Sequence, residues 1–257
     1  MAITVVIPKP GKPSYSVPRA YRPIQLLECM GKVLEKIVAS RLMFDIGKHE
    51  LVPFIQFGGC TASSCVDAGL SLTHDIQSAW KHGMVASVLA IDVKGFFDKV
   101  NHQRMAHVLW EMGFPLSIVK WVQSFLADRQ AALRLDDQLD PMQPIDVGVP
   151  QGSPCSPVLS IIYGAEPLQR ILKDENLKTS ANIPLSPYSY IDDIALAAFS
   201  NSLSDNVETL NKGLTAVIEE LKKIGMEIDP DKLEIQHFSR RPGSSCCSVF
   251  INVRLGD

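Results

Sequence analysis

A chain of 257 residues, 46% apolar and 21% charged with a net charge of −3, has enough surface to bury one large core or two small ones. That balance excludes a disordered, collagen-like or coiled-coil chain, and apolar runs of only a few residues exclude a membrane-spanning helix. The opening Met1-Ala2-Ile3-Thr4-Val5-Val6-Ile7 lacks a basic n-region and a full apolar h-region, so an intracellular protein with no membrane partner is expected.

In chain order, the first apolar stretch runs into Pro8-Lys9-Pro10-Gly11-Lys12-Pro13, which must be a loop. Val33, Leu34, Ile37, Val38 and Leu42 recur at helical spacing, and Val66, Leu70, Thr73, Ile76 and Trp80 mark a second helix closed by Gly83. Met84 to Ile91 reads as a strand buried on both faces, with Asp92 at its tip. Helices are expected around 102–112 and 115–127, Pro115 suiting a first turn. Ala131–Leu135 and Ile145–Val149 are expected to pair as a hairpin. Pro154 opens a further helix with Val158, Leu159, Ile162, Ala165 and Leu168 inward. Residues 187–197 then read as two apolar strands with Asp192 and Asp193 at the tip. Leu203, Val207, Leu210, Leu214, Val217, Leu221 and Ile224 form the cleanest amphipathic helix, stopped by Gly225. A strand at 233–238, a loop from Arg241 and a terminal strand from Ser248 close the chain. This order predicts an α+β fold with helices packed on one face of a largely antiparallel sheet.

The six cysteines form no C-x-x-C pair and have no histidine at zinc-finger spacing, so reduced, mostly buried thiols are expected. Charge is unevenly spread. Residues 1–48 hold eight Lys/Arg against three Asp/Glu, whereas residues 130–200 hold four against nine. A basic front and an acidic middle suit a phosphate-binding surface beside a divalent-metal site, although a solvated accident gives the same tally. Two carboxylates at one hairpin tip repel unless a cation lies between them. A third at the end of a neighbouring strand makes a hard oxygen site suited to Mg²⁺. Spacing alone leaves that reading level with a turn-and-cap role for the same aspartates.

Several ordered motifs decide between them. Ala90-Ile91-Asp92-Val93-Lys94-Gly95-Phe96-Phe97-Asp98, Gly148-Val149-Pro150-Gln151-Gly152-Ser153-Pro154 and Tyr190-Ile191-Asp192-Asp193 resemble the motifs of reverse transcriptases, most closely those of non-LTR, LINE-type retrotransposons. Ile7-Pro8-Lys9-Pro10-Gly11-Lys12 through Tyr21-Arg22-Pro23-Ile24-Gln25-Leu26-Leu27 resembles the opening motif of that family, and Gln56-Phe57-Gly58-Gly59 also fits. The resemblance covers nearly the whole chain.

It implies a polymerase palm (about 84–113 and 147–257) with fingers (about 1–83 and 114–146), and RNA-directed DNA synthesis by two-metal nucleotidyl transfer from a dNTP to a primer 3′-hydroxyl. Asp92, Asp192 and Asp193 would be catalytic, and with the Val93 carbonyl would ligate two Mg²⁺ ions, Mn²⁺ being the alternative ion. Lys9, Arg22, Phe97, Gln151 and Lys232 would bind the nucleotide, Phe97 by excluding a ribose 2′-hydroxyl and Lys232 by protonating pyrophosphate. Tyr190 and Gly152 would meet primer and template. The implied partners are an RNA template, a DNA primer and a dNTP, and the implied compartment for a eukaryotic element is the nucleus. Phe96 and Phe97 face opposite ways, so at most one meets a ligand. Asp98 reads as a cap for the following helix. Two departures from the family pattern stand out. Cys60, Thr61, Ala62 and Ser63 replace the arginines found after the Gly59 position in many relatives, and the chain is expected to stop before a thumb. A silent or domesticated remnant that keeps the fold and nucleic-acid binding is the competing reading.

Overall fold

The computed structural model describes residues 2–135 and 138–240; the loop and terminal strand expected beyond Arg240 lie outside the described residues. In chain order the elements are β1 (Ala2–Pro8), β2 (Tyr21–Leu26), α1 (Cys29–His49), α2 (Cys65–Lys81), β3 (Val85–Asp92), α3 (His102–Glu111), α4 (Leu116–Leu126), β4 (Gln130–Leu135), β5 (Gln138–Leu139), β6 (Gln143–Pro144), α5 (Cys155–Lys173), β7 (Ser186–Tyr190), β8 (Asp193–Ser200), α6 (Leu203–Lys223) and β9 (Glu234–Phe238). They form two compact units: residues 1–49 with 95–163, and residues 50–94 with 164 onward.

The second unit is built on a four-stranded antiparallel sheet in the order β7-β8-β3-β9. β3 lies centrally, which is why its apolar run has no polar alternation: five consecutive residues from Val85 are buried. The face carrying Ser87, Leu89 and Leu196 is covered by α6. There Gly213 brings the helix so near that a Cβ would lie 2.5 Å from Leu185 Cδ2 and 3.0 Å from Leu196 Cδ1. Ser202 caps α6 by accepting from the Asp205 amide, and Gly225, with φ +76°, turns the chain out of it. The opposite face is not left open. Ile76 and Ala79 of α2 pack on Ala86, Val88, Tyr188, Ala197 and Phe199. A capping box between Ser64 and Asp67 starts α2, and burial together with the Asp75 carboxylate pushes the Tyr188 phenol pKa up.

In the first unit β1 pairs antiparallel with β2 across the proline-rich loop and parallel with β4, which also pairs with β5 and β6. The expected partner of β4 is therefore corrected. Residues 145–149 form no strand, because Gly148 turns the chain (φ +84°) and Val147 bridges Asn101 instead. α1 carries two apolar stripes rather than one. Val38, Ala39, Leu42 and Ile46 are buried, while Met30, Val33, Leu34 and Ile37 are exposed. The free cysteines are also more open than expected, Cys155 alone being buried among the described residues. No helix among the described residues is long and apolar enough to cross a membrane.

Candidate active site

The acidic residues meet through strand register. Asp92 ends β3 and Asp193 begins β8, and the two are direct cross-strand partners. Tyr190 pairs with Asp193, so Ile191 and Asp192 are the two central residues of the β7–β8 hairpin. Of the non-glycine residues at this turn only Ile191 has a positive φ, +61°, at the first central position that hairpins of this length usually give to glycine. Asp192 is half-buried and Asp193 exposed. Burial, then the Asp193 carboxylate, then Asp92 push the Asp192 pKa up, against a backbone hydrogen bond and Lys232, which hold it down. Asp193 is pushed up by burial and by Asp92, with Lys232 again opposing.

Lys232 supplies the counter-charge. Its Nζ lies 2.8 Å from Asp92 Oδ2 and 3.9 Å from Asp229 Oδ2. A short antiparallel bridge brings it there. The Asp229 amide donates to the Asp92 carbonyl at 2.8 Å and the Lys94 amide to the Glu227 carbonyl at 2.7 Å. Val93, buried between those bonds opposite Ile228, keeps its own carbonyl outside the bridge. Among the described residues no three His, Cys, Asp or Glu side chains converge into a ready-made metal cage. The expected triad is therefore an acidic neighbourhood with Asp92 drawn to a lysine, as mutual repulsion between carboxylates favours. A groove of about 430 Å³ opens beside it, lined by Gly69 and Leu72 of α2, by Tyr190, and by Asp92, Asp193 and Lys232.

The other expected residues lie in the first unit. Ile7 pairs with Arg22, and the Lys9 amide donates to the Ala20 carbonyl at 2.8 Å, so Lys9 and Arg22 stand at the loop end of one hairpin. Phe96 is buried edge-on to Tyr163, while Phe97 is half-exposed; the two are separated as expected, although by a tight 3-10 turn (Phe97–Lys99) rather than by the alternation of an extended segment. The Gln151 loop is tied down on several sides. The Gln25 amide donates to the Gln151 carbonyl at 2.7 Å, and the Val149 amide to the Phe97 carbonyl at 2.8 Å. Gly152 has φ +130°, and a Cβ there would come within 2.5 Å of the Gln25 carbonyl oxygen.

Beneath this loop lies a buried carboxylate that sequence reasoning missed. Glu35 of α1 accepts from Ser153 Oγ at 2.5 Å, and its backbone carbonyl accepts from Cys155 Sγ at 3.0 Å. Burial, with Glu35 adding, pushes the Cys155 thiol up to about 12. No periodicity marks Glu35, since the same helix exposes several apolar residues. Asp98 is also reassigned: Asn101 caps α3, and Asp98 Oδ1 accepts from Gln151 Nε2 at 2.9 Å.

Residues 7–248 match the family described as reverse transcriptase (RNA-dependent DNA polymerase). The chain is 30% identical over 235 residues to the probable RNA-directed DNA polymerase from transposon BS of Drosophila melanogaster, covering 90% of this chain and 25% of that protein. It is 26% identical to the RNA-directed DNA polymerase from mobile element jockey of the same fly, over 99% of this chain and 27% of the relative. The chain thus spans about a quarter of the length of these relatives. Among solved structures, telomerase from Candida tropicalis in complex with the TWJ fragment of telomeric RNA superposes with a TM-score of 0.67 at 15% identity, over 97% of this chain and 42% of that one. That likeness shows a shared fold.

Proposed function

The chain belongs to the reverse transcriptase (RNA-dependent DNA polymerase) family, and on that premise we propose that it is the polymerase domain of a non-LTR retroelement, copying an RNA template onto a DNA primer from dNTPs. One observation carries the reading: strand register sets Asp92 directly against Asp193, with Asp192 in the adjoining turn.

The donors suit a divalent ion of the Mg²⁺ or Mn²⁺ class. Carboxylate and carbonyl oxygens are hard ligands, and the upward pKa shifts at Asp192 and Asp193 come in part from neighbouring negative charge that a cation relieves. Asp92, Asp192, Asp193 and the Val93 carbonyl would hold the ions. When bound, such ions supply acidity to a primer 3′-hydroxyl and neutralise triphosphate charge. The protein's own groups position and screen. Lys232 holds a proton on Nζ beside Asp92, where it can meet a departing pyrophosphate. Arg22 offers a planar fork for phosphate oxygens and Lys9 a mobile charge. Phe97 presents the ring that excludes a 2′-hydroxyl, and Gln151 contacts the nucleotide. Gly152, packed on the Gln25 carbonyl, shapes the loop that would meet the template, and Tyr190 lines the groove beside the acidic turn where a primer end would lie. In a eukaryotic host, copying onto a DNA primer would place the domain's work in the nucleus.

The test is single-nucleotide extension of a DNA primer on an RNA template with Mg²⁺, comparing the chain with Asp192→Asn. Extension by the parent and background levels in the variant are expected. Equal extension by both rejects the site. The remnant reading draws on the engagement of Asp92 by Lys232, and it predicts nucleic-acid binding without extension by either chain.

A further inference from the structure

We propose that Gln56 is the positioning residue that holds Ile191 in its left-handed conformation and so fixes the direction of the Asp192 carboxylate. The inference rests on the reading of the acidic turn as a metal-binding site, and it adds the device that keeps the turn in place.

A β-branched residue with φ +61° is strained, and persists only where its surroundings over-determine it. The surroundings are one amide. Gln56 is 4% exposed. Its Oε1 accepts from the Ile191 amide at 3.0 Å and from the Gly58 amide at 3.0 Å. Its Nε2 donates to Ser189 Oγ at 3.1 Å and to the Ile191 carbonyl at 3.4 Å. One side chain thus grips both the N–H and the C=O of Ile191, which constrains the dihedrals on either side of its Cα. Glutamine is suited to this because it both donates and accepts, whereas a carboxylate only accepts.

The backbone seats the clamp. The Phe57 amide donates to the Ser189 carbonyl at 2.8 Å and the Ser189 amide to the Ile55 carbonyl at 2.9 Å, so Gln56 forms a single parallel bridge with Ser189 of β7. Gly58 then presses on the turn: a Cβ there would lie 2.5 Å from the Ile191 nitrogen and 2.8 Å from the Tyr190 carbonyl carbon. Asp192 follows Ile191 directly, so rotation at Ile191 swings the carboxylate away from Asp92 and Asp193. A merely satisfied core glutamine would be indifferent to whether residue 191 is strained; a clamp would not.

The chain, Gln56→Ala, Ile191→Gly and the double variant are melted, and each is titrated with Mn²⁺ alone, read by loss of the free-ion EPR signal. Gln56→Ala is expected to lower Tm by roughly 5 °C and to weaken Mn²⁺ binding by about tenfold, as loss of an outer-shell support does. Glycine accepts positive φ without strain, so adding Ile191→Gly is expected to recover more than half of both losses. Ile191→Gly by itself is expected to melt no lower than the parent, an outcome that stands even if Gln56→Ala does not fold. Equal losses from Gln56→Ala in the two backgrounds, or a fall of several degrees for Ile191→Gly alone, overturn the proposal. If the parent and Asp192→Asn bind Mn²⁺ alike, the metal reading fails, and the melting cycle alone decides whether Gln56 holds the turn.

Discussion

The Gln151 loop turns on glycines, whereas the Asp192 turn puts a β-branched residue where glycine is the usual choice. In the first, Gly148 and Gly152 have φ +84° and +130°, and both pack so near backbone that a Cβ has no room. In the second, Ile191 takes φ +61° under the grip of a side chain more than a hundred residues away in sequence. Each turn delivers a residue of expected function, Gln151 or Asp192. The difference is where the constraint is stored. A glycine turn is shaped by what is missing from its own residue, and a clamped turn by what a distant residue supplies.

The comparison breaks most easily at the glycines. Gly152→Ala adds a Cβ at 2.5 Å from the Gln25 carbonyl oxygen in a backbone region closed to L side chains. Strain and clash together predict a loss of about 3 kcal/mol. Gly58→Ala drives a Cβ against the Ile191 nitrogen at 2.5 Å and Cγ1 at 2.7 Å without the positive-φ penalty, and should cost about 2 kcal/mol. Urea unfolding of the full chain measures both. A neutral Gly152→Ala would show that the loop relaxes freely and that its glycine is not structural.

Legibility in the sequence follows the same line. Asp92 at a strand tip, Asp192-Asp193 in a hairpin and the α6 face were readable because apolar runs and a 3.6-residue period are local signals. The glycines of the Gln151 loop announced a turn in the same way. Gln56 belongs to the Gln56-Phe57-Gly58-Gly59 motif, but nothing local showed its role, since its stretch is irregular and its partners are Ser189 and Ile191, 133 and 135 positions on. Asp98 misled for a related reason. An aspartate shortly before a helix reads as a cap, but Asn101 takes that place, and the partner of Asp98 comes from the distant loop. The α1 stripes misled because a helix apolar on two sides has no single inward phase, and Glu35, one turn before Val38 and Ala39 on the buried stripe, is polar and so carries no apolar signal.

The two turns can be made more alike by asking whether Gln151 also depends on a side-chain support. Its Nε2 donates to Asp98 Oδ1 at 2.9 Å, and because a carboxylate only accepts, the amide oxygen takes no part in that bond, which under the proposed function would point it to the nucleotide. Asp98→Ala frees the amide to turn. A loss near 1 kcal/mol is expected, about fivefold in the apparent KM for dNTP with kcat little changed. In a Gln151→Ala background the same substitution should do nothing further. An equal loss in both backgrounds would assign Asp98 a role of its own.

The smallest effect tests a clamp that contains a titrating group. Ser87 Oγ on β3 lies 2.7 Å from His237 Nδ1 on β9 and accepts from Asn206 Nδ2 of α6 at 3.1 Å. Like Gln56, these residues are buried and separated in sequence, and they carry no local signature. Burial pushes the His237 imidazole below its ordinary 6.5. The unfolded chain therefore takes up a proton near pH 6.5 that the folded chain still refuses. Stability from this site is full above that pH and declines as pH falls through it, by at most about 1.4 kcal/mol per pH unit for one group. His237→Gln should flatten the decline that sets in below about pH 6.5 while leaving the slope above pH 7 unchanged. Parallel curves for parent and variant across that window would show that His237 takes up its proton without unfolding. The network would then tolerate charge, unlike the Ile191 turn, whose clamp has no titrating member.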